Sequence, residues 1–73
     1  MAAIDVKTEV TGKVWKIVAR PGDKVAADDE IMILESMKME IPVVAPEDGT
    51  VKEIKVVEGD AVTEDQVVAV VES

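Results

Sequence analysis

Glu35-Ser36-Met37-Lys38-Met39-Glu40 stands at the middle of a 73-residue chain, between two halves that read as copies of each other. Sliding the sequence by 37 positions lays Gly12, Val14, Ile17, Gly22, Asp23, Val25, Asp28, Glu35 and Ser36 on Gly49, Val51, Ile54, Gly59, Asp60, Val62, Asp65, Glu72 and Ser73. Nine identities fall in the 25 pairs from 12/49 to 36/73, and five of the other sixteen exchange one apolar residue for another, as Ile31 for Val68 and Ile33 for Val70. The same offset pairs Ile4 with Ile41 and Val6 with Val43. Only the neighbourhood of Lys38 has no internal counterpart, because its partner positions fall at the chain ends. A duplicated scaffold with one unique feature at its junction points to that feature as what the scaffold displays.

Outward from this stretch, the strand signals dominate. The chain is 48% apolar, rich in valine, and holds one aromatic residue, Trp15. Such a composition folds, and it favours short strands over helices. Residues 1–73 are expected to form one small domain. With no cysteine, its stability must come from apolar packing in a compact, symmetric arrangement.

Strands are expected over residues 4–7, 13–19, 30–36, 39–44 and 67–72. Thr8 to Gly12 reads as a turn. Val25 and Val62 are single apolar anchors in short extended pieces. Val14 and Ile17 lie three apart, which breaks a period of two, and Val51 and Ile54 repeat the spacing. This predicts a bulge or change of face in each copy. Pro21-Gly22-Asp23 and Glu58-Gly59-Asp60 are matched turns, and Pro46-Glu47-Asp48-Gly49 is another. Asp28 and Asp65 suit left-handed turn positions. Pro42 marks an edge strand or an end of pairing. The sum is about eight short antiparallel strands, four per half, in a closed or sandwiched arrangement. An even number per half puts both chain ends at one pole and Met37-Lys38, as a hairpin tip, at the other.

The net charge of −8 repels phosphate backbones and argues against nucleic-acid binding. No apolar run reaches membrane-spanning length, and Met1 to Asp5 hold neither a basic nor an apolar signal region, so no signal peptide is expected. These features and the absence of cysteine fit a cytoplasmic protein. There is no histidine either, which removes the commonest general base and metal ligand, so no catalytic residue and no metal site are expected.

An isolated lysine is ordinarily a solvated charge. Lys38 sits instead where a two-residue hairpin turn favours Asn-Gly, because both central residues need positive φ. A local rule broken at one site is where function is to be sought. Met37 and Met39 flank Lys38, and around a tight turn both cannot fill the core. Exposed methionine beside exposed lysine reads as a recognition surface. Glu35, Ser36 and Glu40 are candidate partner contacts, and the two carboxylates read first as solvated charges. Trp15, aligned with Lys52, reads as a partly exposed packing residue or an intermolecular contact.

Glu35-Ser36-Met37-Lys38-Met39 resembles the attachment motif of biotinyl domains, in the biotin/lipoyl-attachment family. The turn pattern Gly12-x-Val14, Gly22-Asp23-x-Val25, Ala45-Pro46-x-x-Gly49 and Gly59-Asp60-x-Val62 extends the likeness over nearly the whole chain. Lys38 lies 35 residues before Ser73, the spacing such a domain has when it closes a chain. The resemblance implies an all-β flattened barrel of two four-stranded antiparallel sheets with a pseudo-two-fold repeat. It implies that biotin protein ligase attaches biotin to the Lys38 amine, with Met37 and Met39 recognised. It further implies a monomeric carrier that moves carboxylate between biotin carboxylase and carboxyltransferase. The hard chemistry then belongs to the cofactor and the partner enzymes.

Three features depart from the family pattern. Ser36 replaces the usual alanine and, after Glu35, is also typical of lipoyl domains. Asp28 and Asp65 stand where glycine is frequent. Residues 18–31 leave no room for the protruding insertion that some acetyl-CoA carboxylase carriers have. Lipoate on Lys38, in a 2-oxoacid dehydrogenase complex, is therefore the alternative arm. An unmodified interaction module is the rival class; it predicts a free Lys38 amine and leaves the Met-Lys-Met unexplained.

Overall fold

The computed structural model describes residues 2–73. Eight strands follow one another: β1 (Ala3–Lys7), β2 (Gly12–Ile17), β3 (Lys24–Val25), β4 (Glu30–Ser36), β5 (Met39–Val44), β6 (Gly49–Ile54), β7 (Ala61–Val62) and β8 (Val67–Glu72). They make two four-stranded antiparallel sheets, ordered β1-β8-β6-β3 and β5-β4-β2-β7. The 37-residue offset converts one order into the other, strand for strand. It converts the registers as well: Glu35 faces Glu40 in the β4–β5 pair, and Glu72 faces Ala3 in the β8–β1 pair. The result is a flattened barrel-sandwich with pseudo-two-fold symmetry, 36 × 18 × 18 Å.

The core is what β-branched strands can bury on one face. Val14, Leu34 and Ile31 from one sheet meet Val51, Val71 and Val68 from the other, all almost fully buried, with Met32 filling space among them. The irregular spacing in each half is a bulge. The register skips Trp15 between Val14↔Leu34 and Lys16↔Ile33, and it skips Lys52 at the same place in the copy. An unpaired residue at a bulge rotates the rest of the strand. Val14 and Ile17 can therefore both turn inward at a separation of three.

The turns follow the side chains. Asp28 and Asp65 have φ of 72° and 68°, so aspartate occupies the left-handed positions itself. Asp23 and Asp60 each accept a backbone N–H from three residues upstream, Arg20 and Val57, at 3.0 Å in both copies. Pro42 lies on β5, an edge strand, where its missing N–H breaks no ladder bond.

Three boundaries differ from the sequence reading, the first being that β1 begins at Ala3 rather than Ile4. Gly12 belongs to β2 rather than to the preceding turn, and β2 ends at Ile17 rather than Ala19. The cause of the early end is local: the N–H groups of Val18 and Ala19 both donate to the Ile31 carbonyl, which leaves no further ladder step.

Candidate functional site

The β4–β5 hairpin is in register to its last pair, Ser36↔Met39, so only Met37 and Lys38 close it. Both have positive φ, 51° and 65°. This is the mirror-image turn whose twist matches that of the flanking strands. Neither residue is glycine or asparagine, so the tip carries strain of roughly 1–2 kcal/mol per residue. Met37 is 92% exposed and Met39 63% exposed, and Lys38 is exposed between them. Among the described residues, the Lys38 amine has neither a hydrogen bond nor an ion pair.

The bare tip stands on a fixed base. The Ser36 hydroxyl donates to the Thr11 carbonyl at 2.8 Å. The Thr11 hydroxyl in turn accepts the Glu64 N–H at 3.1 Å, which ties the hairpin, the β1–β2 loop and the β7–β8 turn together. Gly12 lets the two strands touch: a Cβ there would stand 2.6 Å from the Glu35 carbonyl oxygen and 3.2 Å from Ser36 Cβ. Glu35 and Glu40 face each other across the ladder one pair below Ser36, and both are exposed.

All six residues singled out in the sequence, 35 to 40, thus come together on one hairpin. Lys38, Met37 and Met39 form its free end, Ser36 anchors it, and Glu35 and Glu40 stand at its shoulders. Thr11, Gly12 and Glu64 were not foreseen as parts of the site. One signal was available: Thr11 aligns with Asp48, and Asp48 makes the equivalent contact, accepting the Ala27 N–H at 2.8 Å.

A lysine displayed in this way, on a strained two-residue turn, can be modified and can swing a tethered group. The family described as "Biotin-requiring enzyme", the biotin/lipoyl group, matches residues 2–72. The chain is 48% identical over 62 residues to the biotin/lipoyl attachment protein of Bacillus subtilis, covering 85% of each chain. It is 39% identical over 69 residues to the biotinylated protein TB7.3 homolog of Mycobacterium leprae, covering 94% of this chain and 97% of that one. Among solved structures, the urea carboxylase of Kluyveromyces lactis superposes with a TM-score of 0.93 at 40% identity, over 99% of this chain but only 6% of that enzyme. The chain therefore belongs to the biotin/lipoyl-attachment family, as a small carrier domain that is not itself an enzyme.

Proposed function

We propose that this protein is a biotin carrier whose Lys38 is the attachment residue. The observation that carries the reading is the Met37-Lys38 turn, two non-glycine residues held at positive φ with the lysine amine exposed and unengaged. A biotin protein ligase would join the biotin carboxyl to the Lys38 amine, displacing AMP from biotinyl-AMP and releasing the amine's proton. Biotin, once attached, supplies a ureido nitrogen able to carry carboxylate. The chain's own contribution is position. The Ser36–Thr11 anchor and the Gly12 contact hold the base, while the tip leaves the arm free to reach a biotin carboxylase and then a carboxyltransferase. The tether keeps the carried group at high effective concentration between the two sites. We place the carrier in the cytoplasm as a monomer.

Met37 and Met39 support biotin over lipoate, because their exposed thioether chains give a ligase an apolar surface on both sides of the lysine. Intact and peptide mass spectrometry tests the assignment, on protein made in cells holding both biotin and lipoate ligases. The expected result is a biotin increment on Lys38 in the native chain and none in Lys38→Arg, with the two melting alike. A lipoyl increment moves the partner to a 2-oxoacid dehydrogenase complex. A free Lys38 amine in the presence of active ligases refutes the carrier reading.

A further inference from the structure

The duplication supplies an internal control for the outer surface. Each sheet has an outer face, and the 37-residue offset matches the two faces position by position. On the β1-β8-β6-β3 sheet the matched positions are Lys52, Lys55, Val70 and Asp5. On the β5-β4-β2-β7 sheet, which carries the Lys38 hairpin, they are Trp15, Val18, Ile33 and Pro42. Trp15 is 50% exposed and Val18 47%. The registers place Lys16, Ile33 and Pro42 in one row across the sheet, with Trp15 at the bulge beside them. The equivalent row in the copy is Glu53, Val70 and Asp5, and there the valine is buried although it lies outside the core.

The charges divide in the same way. Both ion pairs found among the described residues, Lys52–Glu72 at 3.6 Å and Lys55–Glu53 at 3.9 Å, lie on the first sheet. On the hairpin-bearing sheet no ion pair forms, even though Lys13 stands opposite Glu35 in the register. Glu35 also faces Glu40, a like-charged cross-strand pair that disfavours the ladder. The copy has Ala3 in place of the second glutamate. One face is thus finished for water. The other keeps an exposed indole beside Val18, with Lys13 and Lys16 exposed in the rows next to it, and two opposed carboxylates leading up to the hairpin.

We propose that this face docks the enzyme that the Lys38 arm serves, through an apolar socket for Trp15 edged by basic side chains that meet Glu35 and Glu40. This rests on the carrier reading above. A second copy of the chain is disfavoured as the occupant, because each copy brings a net charge of −8 to the contact. The face is also continuous with the hairpin, so a protein seated on it holds Lys38 at its edge. An exposed tryptophan with apolar neighbours is the residue type that most often dominates such contacts.

The test uses the 15N-labelled, biotin-loaded domain titrated with an unlabelled biotin carboxylase and, separately, an unlabelled carboxyltransferase. Trp15 is the one tryptophan, so the spectrum holds a single indole N–H signal. Expected with at least one enzyme are a shift or broadening of that signal and of the amides around Lys16, Ile33 and Glu40, with amides near Lys52 and Lys55 unmoved. Trp15→Lys, the residue the copy carries at this position, should fold normally, accept biotin as before, and bind about ten-fold more weakly or worse. Lys52→Ala, at the matched position on the other sheet, should bind as the native chain does. If Trp15→Lys binds and is carboxylated as the native chain, the docking proposal is wrong while the carrier reading stands. If the native loaded domain is neither bound nor carboxylated by either enzyme, the carrier reading itself fails. Concentration-dependent dimerisation through Trp15 assigns the face to a second copy and overturns the proposal.

Discussion

Replacing Met37-Lys38 by Asn-Gly should stabilise the protein. The two native residues sit at φ of 51° and 65°, a region that costs an ordinary L-residue roughly 1–2 kcal/mol. Asparagine tolerates it and glycine is indifferent to it, so about 2 kcal/mol of strain is relieved over the pair. Opposing this, glycine gives the unfolded chain more freedom, which removes about 0.5–1 kcal/mol. Little packing is lost, since Met37 is 92% exposed. The net is about 1–1.5 kcal/mol. For a domain of this size each kcal/mol moves Tm by about 4–8 °C, so a rise of about 5–10 °C is expected. Thermal melts and urea titrations followed by far-UV circular dichroism measure it, and the urea slope should not change. Met37→Asn alone, which keeps the lysine, should give about half the gain. A Tm that stays level or falls in both variants would show that the tip is locally favourable and that strain does not mark Lys38 for display.

Gly12→Ala should destabilise by about 1–3 kcal/mol, because the new Cβ meets a backbone oxygen at 2.6 Å and the two strands must part; a denaturant midpoint equal to the native one contradicts the close-approach argument. Leu34→Ala, beneath the hairpin at 0% exposure, should cost about 2–5 kcal/mol. A loss under 1 kcal/mol would mean that the core closes around the gap. Met37→Asp should slow biotin transfer to Lys38 relative to lipoyl transfer, read as the ratio of the two mass increments when both ligases compete; an unchanged ratio removes Met37 from the recognition argument.

Much of the fold was legible because it is written twice. A spacing of three between Val14 and Ile17 is ambiguous alone, and its repetition at Val51 and Ile54 made it a bulge. The aspartates at 28 and 65 likewise announced their left-handed turns by recurring, and Pro42 announced an edge strand or an end of pairing through the N–H it lacks. Less visible were interactions that join residues far apart in sequence. Gly12 reads locally as part of a turn, and its reason for being glycine is the Glu35 carbonyl 23 residues later. The Ser36–Thr11 and Thr11–Glu64 bonds are of the same kind, since a hydroxyl in a loop does not declare its partner. The end of β2 at Ile17 depended on two N–H groups converging on one carbonyl, a detail of pairing that no propensity encodes.

The position of Lys38 follows from the same duplication. In the first half β4 pairs with β5 and is joined to it by a turn; in the second half β8 pairs with β1 in the equivalent register without such a turn between them. The Ser73 N–H donates to the Ala2 carbonyl, where the equivalent positions in the hairpin are Ser36 and Met39. At the open pole the ladder needs no turn. At the closed pole the register leaves two residues to bridge the strands, and the turn that matches the strands' right-handed twist here holds both at positive φ. Moving the lysine by one place would need a slip of β5 against β4, which turns every side chain of the strand over. Val43 and Ile41 would then face water, and Pro42 would point into the core. The protruding, strained lysine is therefore fixed by the packing of a sheet whose buried residues lie several positions away. The rest of the hairpin ladder and the core offset the strain, and the tip has no freedom to relax it.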